Sequence, residues 1–166
     1  MVRIADIHDG VVLTPHTGAG YDQISIPSCT THSILVSHTP HAVNDSTADT
    51  ALFLILGALR RFNLPMRTLR AGEWRGPRPP PLGHDPQGKI LGILGMGGIG
   101  RNLKRKAEVF GMRVVYHNRK RLARGLEGGA EYVGFEELLG RCDVLSVNLP
   151  LNVGLRAGGS WKVDGG

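Results

Sequence analysis

Apolar and polar positions alternate in blocks along this chain, and each block predicts an element. Residues 89–94 (Lys-Ile-Leu-Gly-Ile-Leu) and 113–117 (Arg-Val-Val-Tyr-His) are short apolar runs bounded by turn residues, and they read as strands. Residues 144–150 (Val-Leu-Ser-Val-Asn-Leu-Pro) read as a further strand, buried in a parallel sheet. Earlier, Val11-Val12-Leu13 and Ile34-Leu35-Val36 predict two shorter strands, the second closed off by Thr39-Pro40. Asn44, Asp45 and Ser46 are N-cap candidates for a helix running to about Phe62. That helix is apolar around much of its circumference, from Ala51 through Leu59, which predicts burial on more than one side, a second subunit being one way to supply it. Pro65 can start a short helix through Leu69. Residues 101–110 read as a helix, and 135–139 as a helical turn. Residues 72–88 form a loop with five prolines (Pro77, Pro79, Pro80, Pro81, Pro86), better read as a rigid crossover than as a proline-rich recognition segment. Successive strand and helix signals predict an α/β fold built on a doubly wound parallel sheet.

Between the strand at 89–94 and the helix at 101–110 lies Gly95-Met96-Gly97-Gly98-Ile99-Gly100. G-x-G-x-x-G in a strand-turn-helix context is the turn that holds a dinucleotide's diphosphate. Gly95 permits the tight turn, Gly97 lets the backbone approach the phosphates, and Gly100 lets the helix pack closely on the sheet. The helix beginning near Gly98 then turns free N–H groups and its positive dipole end toward the anion. The bland alternative is a glycine-rich turn without a ligand in a chain with 24 glycines. The second strand at its proper distance argues against it. Just after that strand an NAD site carries Asp or Glu for the ribose 2′-hydroxyl, whereas a 2′-phosphate needs that acid removed and cations nearby. Here Asn118 is followed by Arg119, Lys120 and Arg121, which favours NADP over NAD, unless 119–124 is only a solvated loop.

The length of 166 residues suits about one domain, and a 41% hydrophobic content suffices for a core. A net charge of +6 raises the question of nucleic acid, but the cations are dispersed and only four Phe, three Tyr and two Trp are present to stack bases. No RNA-recognition or helix-turn-helix signature accompanies them. Cys29 and Cys142 are too few for a disulfide framework, and they read as buried thiols of a reducing compartment. His32, His38 and His41 have neither a helix nor a carboxylate partner, so no metal site is expected. Charge interrupts the first residues at once, and the longest apolar stretch is the nine residues 51–59, far short of a membrane span of about 20. These features predict a cytoplasmic protein without membrane or nucleic-acid partners.

Gly18-Ala19-Gly20-Tyr21-Asp22, Thr39-Pro40, residues 47–51, Gly72-Glu73-Trp74, residues 92–100, Cys142-Asp143-Val144 and Leu149-Pro150-Leu151 occur together in register. In this the chain resembles the D-isomer-specific 2-hydroxyacid dehydrogenases, and among them the glyoxylate/hydroxypyruvate reductase-like members, over residues from about 9 to 152. The resemblance implies reduction of small 2-keto acids by hydride transfer from NAD(P)H, and a homodimer whose contact involves the nucleotide domain. It implies that Gly98 and Ile99 contact the diphosphate, that Asn118, Arg119 and Lys120 meet the 2′-phosphate, and that Leu149 and Pro150 lie at the adenosine side. It further implies that the backbone N–H groups of Ala19 and Gly20 meet the substrate carboxylate. On this reading residues 1–41 are a remnant of the substrate domain, 42–152 a partial, incomplete Rossmann-type domain, and 153–166 a tail outside the family pattern and without order.

The family's catalytic Arg, Glu and His are expected beyond the residues present, and none of the seven histidines here can be carried over as the acid. Two readings follow: an oxidoreductase of this family, or a catalytically inactive remnant that at most binds NADP or pairs with full-length relatives. The second carries a physical expectation of marginal stability, because an incomplete sheet leaves strand edges and apolar side chains uncovered.

Overall fold

The structure is a computed structural model that describes residues 13–74 and 79–150. The chain divides into two compact units, one of residues 1–43 with 149–166 and the other of residues 44–148.

In the first unit β1 (Leu13–His16) pairs in parallel with β2 (Leu35–His38), Leu13 opposite Leu35 and His16 opposite His38. The crossover is α1 (Ile26–Thr31), which the apolar pattern did not signal: it is one and a half turns long, carries Pro27 in its first turn and buries only Cys29. Strand β2 begins one residue later than the pattern predicts. The N–H of Ile34 bonds to Cys29 O at 2.9 Å, so Ile34 closes the helix end and cannot join the ladder. The strand extends instead to His38. Val11 and Val12, and the tail at 153–166, lie outside the described residues.

The second unit is built on four parallel strands in the order β5-β4-β3-β6. The central strand β3 (Ile90–Leu94) runs between β4 (Arg113–His117) and β6 (Val144–Val147), with Gly92 opposite Val115 on one side and Leu145 on the other. The chain steps outward from β3 to β4 to β5 (Glu131–Tyr132), then returns to the far side of β3, so the strand order reverses between β3 and β6. This is an α/β, Rossmann-type arrangement, as the alternation of elements predicts. Asp143 fixes the return: its carboxylate accepts the Ile90 N–H at 2.7 Å and the Lys89 ammonium at 3.2 Å.

Helix α4 (Gly98–Val109) follows β3 and lies against α2 (Asn44–Leu59). Ala48, Ile55, Leu103 and Ala107 are buried there with Leu91, Ile93 and Tyr116 of the sheet. Lys106 of α4 pairs with both Asp45 and Asp49 of α2, which fixes the two helices in register. Helix α2 ends at Leu59, not Phe62, because Arg61 takes a left-handed φ of 52° and the Phe62 N–H turns back to Gly57 O. Helix α3 (Asn63–Arg70) then starts two residues before Pro65, which sits in its first turn, where a missing N–H costs nothing. Helix α2 buries one face only, leaving Phe53 65% and Leu54 62% exposed. Helices α5 (Arg124–Glu127) and α6 (Phe135–Arg141) complete the unit. Among the described residues no helix is long and apolar enough to cross a membrane.

Candidate functional site

The turn after β3 has the conformation its glycines anticipate. Gly95 has φ +95°, a region that a side chain strains to enter. At Gly100 an added Cβ would stand 2.7 Å from Gly95 O and 3.1 Å from Ile93 Cγ2, so only glycine lets α4 begin this close to the strand. An added Cβ at Gly98 would collide with the Asn44 side chain, which seats α2 against the same turn. Gly97 is different: nothing lies within 4 Å of where its Cβ would be, leaving its backbone bare toward open space.

The hydrogen-bond pattern of the turn is uneven. Gly95 N–H is bonded to His117 O at 3.0 Å and Met96 N–H to Asn118 Oδ1 at 2.7 Å. Beyond them, Gly97, Gly98, Ile99 and Gly100 donate to no acceptor among the described residues, and Gly97 receives no side-chain cap. Four unpaired N–H groups at the start of a twelve-residue helix form an anion cradle, strengthened by the helix dipole. They lie at the carboxyl end of β3, where the strand order reverses and a parallel α/β sheet opens a crevice. A diphosphate fits such a cradle: its oxygens need donors, and the Gly97 face gives them room.

Residues 118–122 follow β4 and are tied down at several points. Asn118 accepts the Met96 N–H on its side-chain oxygen and the Tyr132 hydroxyl on its main-chain carbonyl at 3.2 Å. Arg119 and Lys120 are exposed and make no ion pair with any described residue. Arg121, the third cation of the sequence run, is already engaged. Its Nε donates to Glu127 Oε1 at 2.7 Å and its Nη2 to Glu127 Oε2 at 3.2 Å, so it is not free for a ligand as the sequence suggested. Glu127 is 6% exposed and also accepts the Tyr116 hydroxyl at 2.8 Å. Arg121 first and Tyr116 second hold its carboxyl below the ordinary glutamate value. Burial, and then Glu127, push the Tyr116 phenol up, so it stays a donor. Sequence reasoning missed Tyr116, Glu127 and Tyr132 because partners on β4, α5 and β5 share no spacing rule.

In the first unit the loop from Thr17 to Asp22 is held from one side. Thr39 donates its hydroxyl to Thr17 O at 2.6 Å and its N–H to Gly18 O at 3.2 Å, and His38 Nδ1 lies 2.8 Å from Ala19 O. All peptide bonds described are trans, so the N–H groups of Ala19 and Gly20 point opposite to the carbonyls thus engaged. Neither has an acceptor among the described residues. Leu149 and Pro150 belong to this first unit by chain division. Of the cysteines, Cys29 is buried, whereas Cys142 is only partly buried, against the expectation for both.

A glycine turn, an uncapped helix start and a reversal of strand order together define a protein of the dinucleotide-binding α/β class. Residues 52–156 match the sequence model of the D-isomer specific 2-hydroxyacid dehydrogenase NAD binding domain, and the chain belongs to that family. It is 57% identical over 141 residues to 4-methyl-2-oxopentanoate reductase A of Aspergillus oryzae, an alignment covering 85% of this chain and 42% of that protein. Among solved structures, a glyoxylate reductase from Paecilomyes thermophila superposes with a TM-score of 0.77 at 49% identity, covering 91% of this chain and 49% of that one. An NADPH-dependent glyoxylate/hydroxypyruvate reductase from Sinorhizobium meliloti, solved with NADP and malonate, gives a TM-score of 0.75 at 30% identity, covering 86% and 44%. The chain thus spans about two-fifths of the length of the curated relative, 42%.

Proposed function

We propose that this chain forms the cofactor-holding part of an NADP-preferring reductase that converts 2-keto acids such as glyoxylate or hydroxypyruvate to D-2-hydroxy acids. The observation that carries the proposal is the row of unpaired N–H groups from Gly97 to Gly100 beside the bare Gly97 backbone. Gly95, Gly97, Gly98, Ile99 and Gly100 would hold the diphosphate, Asn118, Arg119 and Lys120 the phosphorylated ribose, and Leu149 and Pro150 the adenosine side. The uncharged Asn118 and two unpaired cations beside it support NADP over NAD. So does the NADP bound in the Sinorhizobium meliloti enzyme. When bound, the nicotinamide would supply the hydride that reduces the keto carbon. Ala19 and Gly20 N–H groups, turned outward by His38 and Thr39, would receive the substrate carboxylate.

A homodimer through the nucleotide domain would cover the apolar face that α2 leaves bare. Phe53, Phe62, Met66, Leu69, Trp74 and Leu82 line a groove of about 740 Å³ there. Apolar surface of this kind on a helix already packed on its other side suits a like surface of a second copy.

The alternative is a chain that binds NADP but does not turn over. The two separate on oxidation of NADPH by the purified chain with glyoxylate or hydroxypyruvate. Turnover by the chain alone supports the reductase and excludes the inactive remnant. Cofactor binding without turnover supports the remnant.

A further inference from the structure

The cations at 119 and 120 are useful to a 2′-phosphate only if their backbone is held still, because ordering a mobile basic loop on binding subtracts from affinity. The segment is held by a buried polar group that no sequence motif marks. Glu127, 6% exposed, receives three hydrogen bonds, two from Arg121 and one from Tyr116, which is fully buried. The same Tyr116 oxygen accepts the Leu122 N–H at 3.1 Å, which pins the far end of the segment to the end of β4. Arg121 lies over the Tyr132 ring, 5.8 Å from its centroid, and the Tyr132 hydroxyl holds Asn118 O at the near end. Asn118 in turn holds Met96 in the glycine turn. Both ends of the basic segment are therefore anchored to one cluster, which also reaches the anion cradle. A buried carboxylate is costly unless it is fully paired, and here its pairing is spent on this segment and on the strand beneath it.

We propose that Tyr116, Glu127 and Arg121 form a buttress that sets cofactor selectivity without touching the cofactor: they fix residues 118–122 so that Arg119 and Lys120 are pre-positioned for the 2′-phosphate. The inference rests on the reading that this segment selects the phosphorylated ribose. Arg121 is a positioning residue, its cation spent on Glu127.

The sign of one substitution separates positioning from direct contact. Glu127→Gln keeps the volume and an acceptor for Tyr116 but removes the charge and one of the two oxygens that hold Arg121, loosening it. If Arg121 braces the segment, the dissociation constant for NADPH rises about fivefold while that for NADH changes by less than about twofold, the size expected for ordering one or two side chains. If Arg121 were itself a phosphate ligand, freeing it would tighten NADPH instead, and the proposal would fail. Equal weakening of both cofactors would also overturn it, since loss of fold does not distinguish them. Arg121→Lys provides a second test at an exposed position less able to disturb folding: it keeps the charge but loses the two-point contact, and it too should lower NADPH selectivity. Selectivity retained in Arg121→Lys contradicts the buttress. The double variant Arg119→Ala/Lys120→Ala probes the underlying reading. An unchanged NADPH to NADH ratio there, or no NADPH binding by the unsubstituted chain, defeats that reading; a lowered ratio there with selectivity intact in Glu127→Gln defeats only the buttress.

Discussion

Asn118 does two things with one side chain. Its Oδ1 accepts the Met96 N–H, and its amide brings no charge to the position proposed for the ribose. An aspartate in its place would keep the bond to Met96 through one oxygen and bring a second, charged oxygen to the same spot. That suits a ribose hydroxyl and repels a phosphate. Asn118→Asp is expected to weaken NADPH at least about tenfold, the scale of like charges brought together, with NADH held or improved. Parallel titrations of nicotinamide fluorescence measure both, and an unchanged preference contradicts the assignment. At this scale the glycine turn was legible because its conformation follows from the side chains it lacks. The cations were less so. A run of Arg119, Lys120 and Arg121 carries no sign of which member is already paired, and Glu127, six residues beyond Arg121, gave no reason to be singled out.

Helix α2 was legible as an element, but the burial on more than one side that its apolar circumference predicts is not met within the chain, which buries one face only. Helix α4 covers the Ala48 and Ile55 side, while Phe53 and Leu54 remain open. If a second copy covers them, Phe53→Glu should convert a dimer to a monomer in sedimentation velocity, at little cost to the monomer's fold because the side chain is exposed. A wild-type chain that sediments as a monomer at micromolar concentration would contradict the dimer. The short α1, α5 and β5 escaped the pattern. β5 has two residues and α5 four, too few for any period to repeat, and α5 ends on Gly128 with φ 57°, a signal that marks a stop without saying what precedes it. The ends of α2 and β2 were set by single hydrogen bonds from Phe62 and Ile34, which hydropathy does not register.

Across the whole molecule, three carboxylates clamp one piece of the nucleotide unit to the next. Glu127 joins α5 to β4, Glu131 joins β5 to Arg141 of α6, and Asp143 joins the start of β6 to β3. Each is held below its ordinary value: Glu127 chiefly by Arg121, Glu131 by Arg141, Asp143 by the Ile90 N–H and then Lys89. A carboxyl depressed in the folded state contributes stability that is fully present above its unfolded value, about 4, and is lost as pH falls through the folded value. The melting temperature should therefore be flat from pH 7 to about 5 and drop below about 4, as thermal melts across a pH series would show. A protein that grows more stable on acidification would contradict these assignments. The parallel sheet, the glycine turn and the family were all legible because strand runs and G-x-G-x-x-G are local in sequence. The anchoring of residues 118–122 was not, because it depends on contacts that only the folded sheet creates.

The central claim is that the N–H groups following Gly95-Met96 receive a diphosphate, with Arg119 and Lys120 beside the phosphorylated ribose. A crystal structure of the chain grown with NADPH tests it most directly. The account predicts diphosphate oxygens within hydrogen-bonding distance of Gly98 and Ile99 N–H and a 2′-phosphate against residues 119 and 120. A cofactor bound elsewhere, or a glycine turn left empty at saturating NADPH, would contradict it.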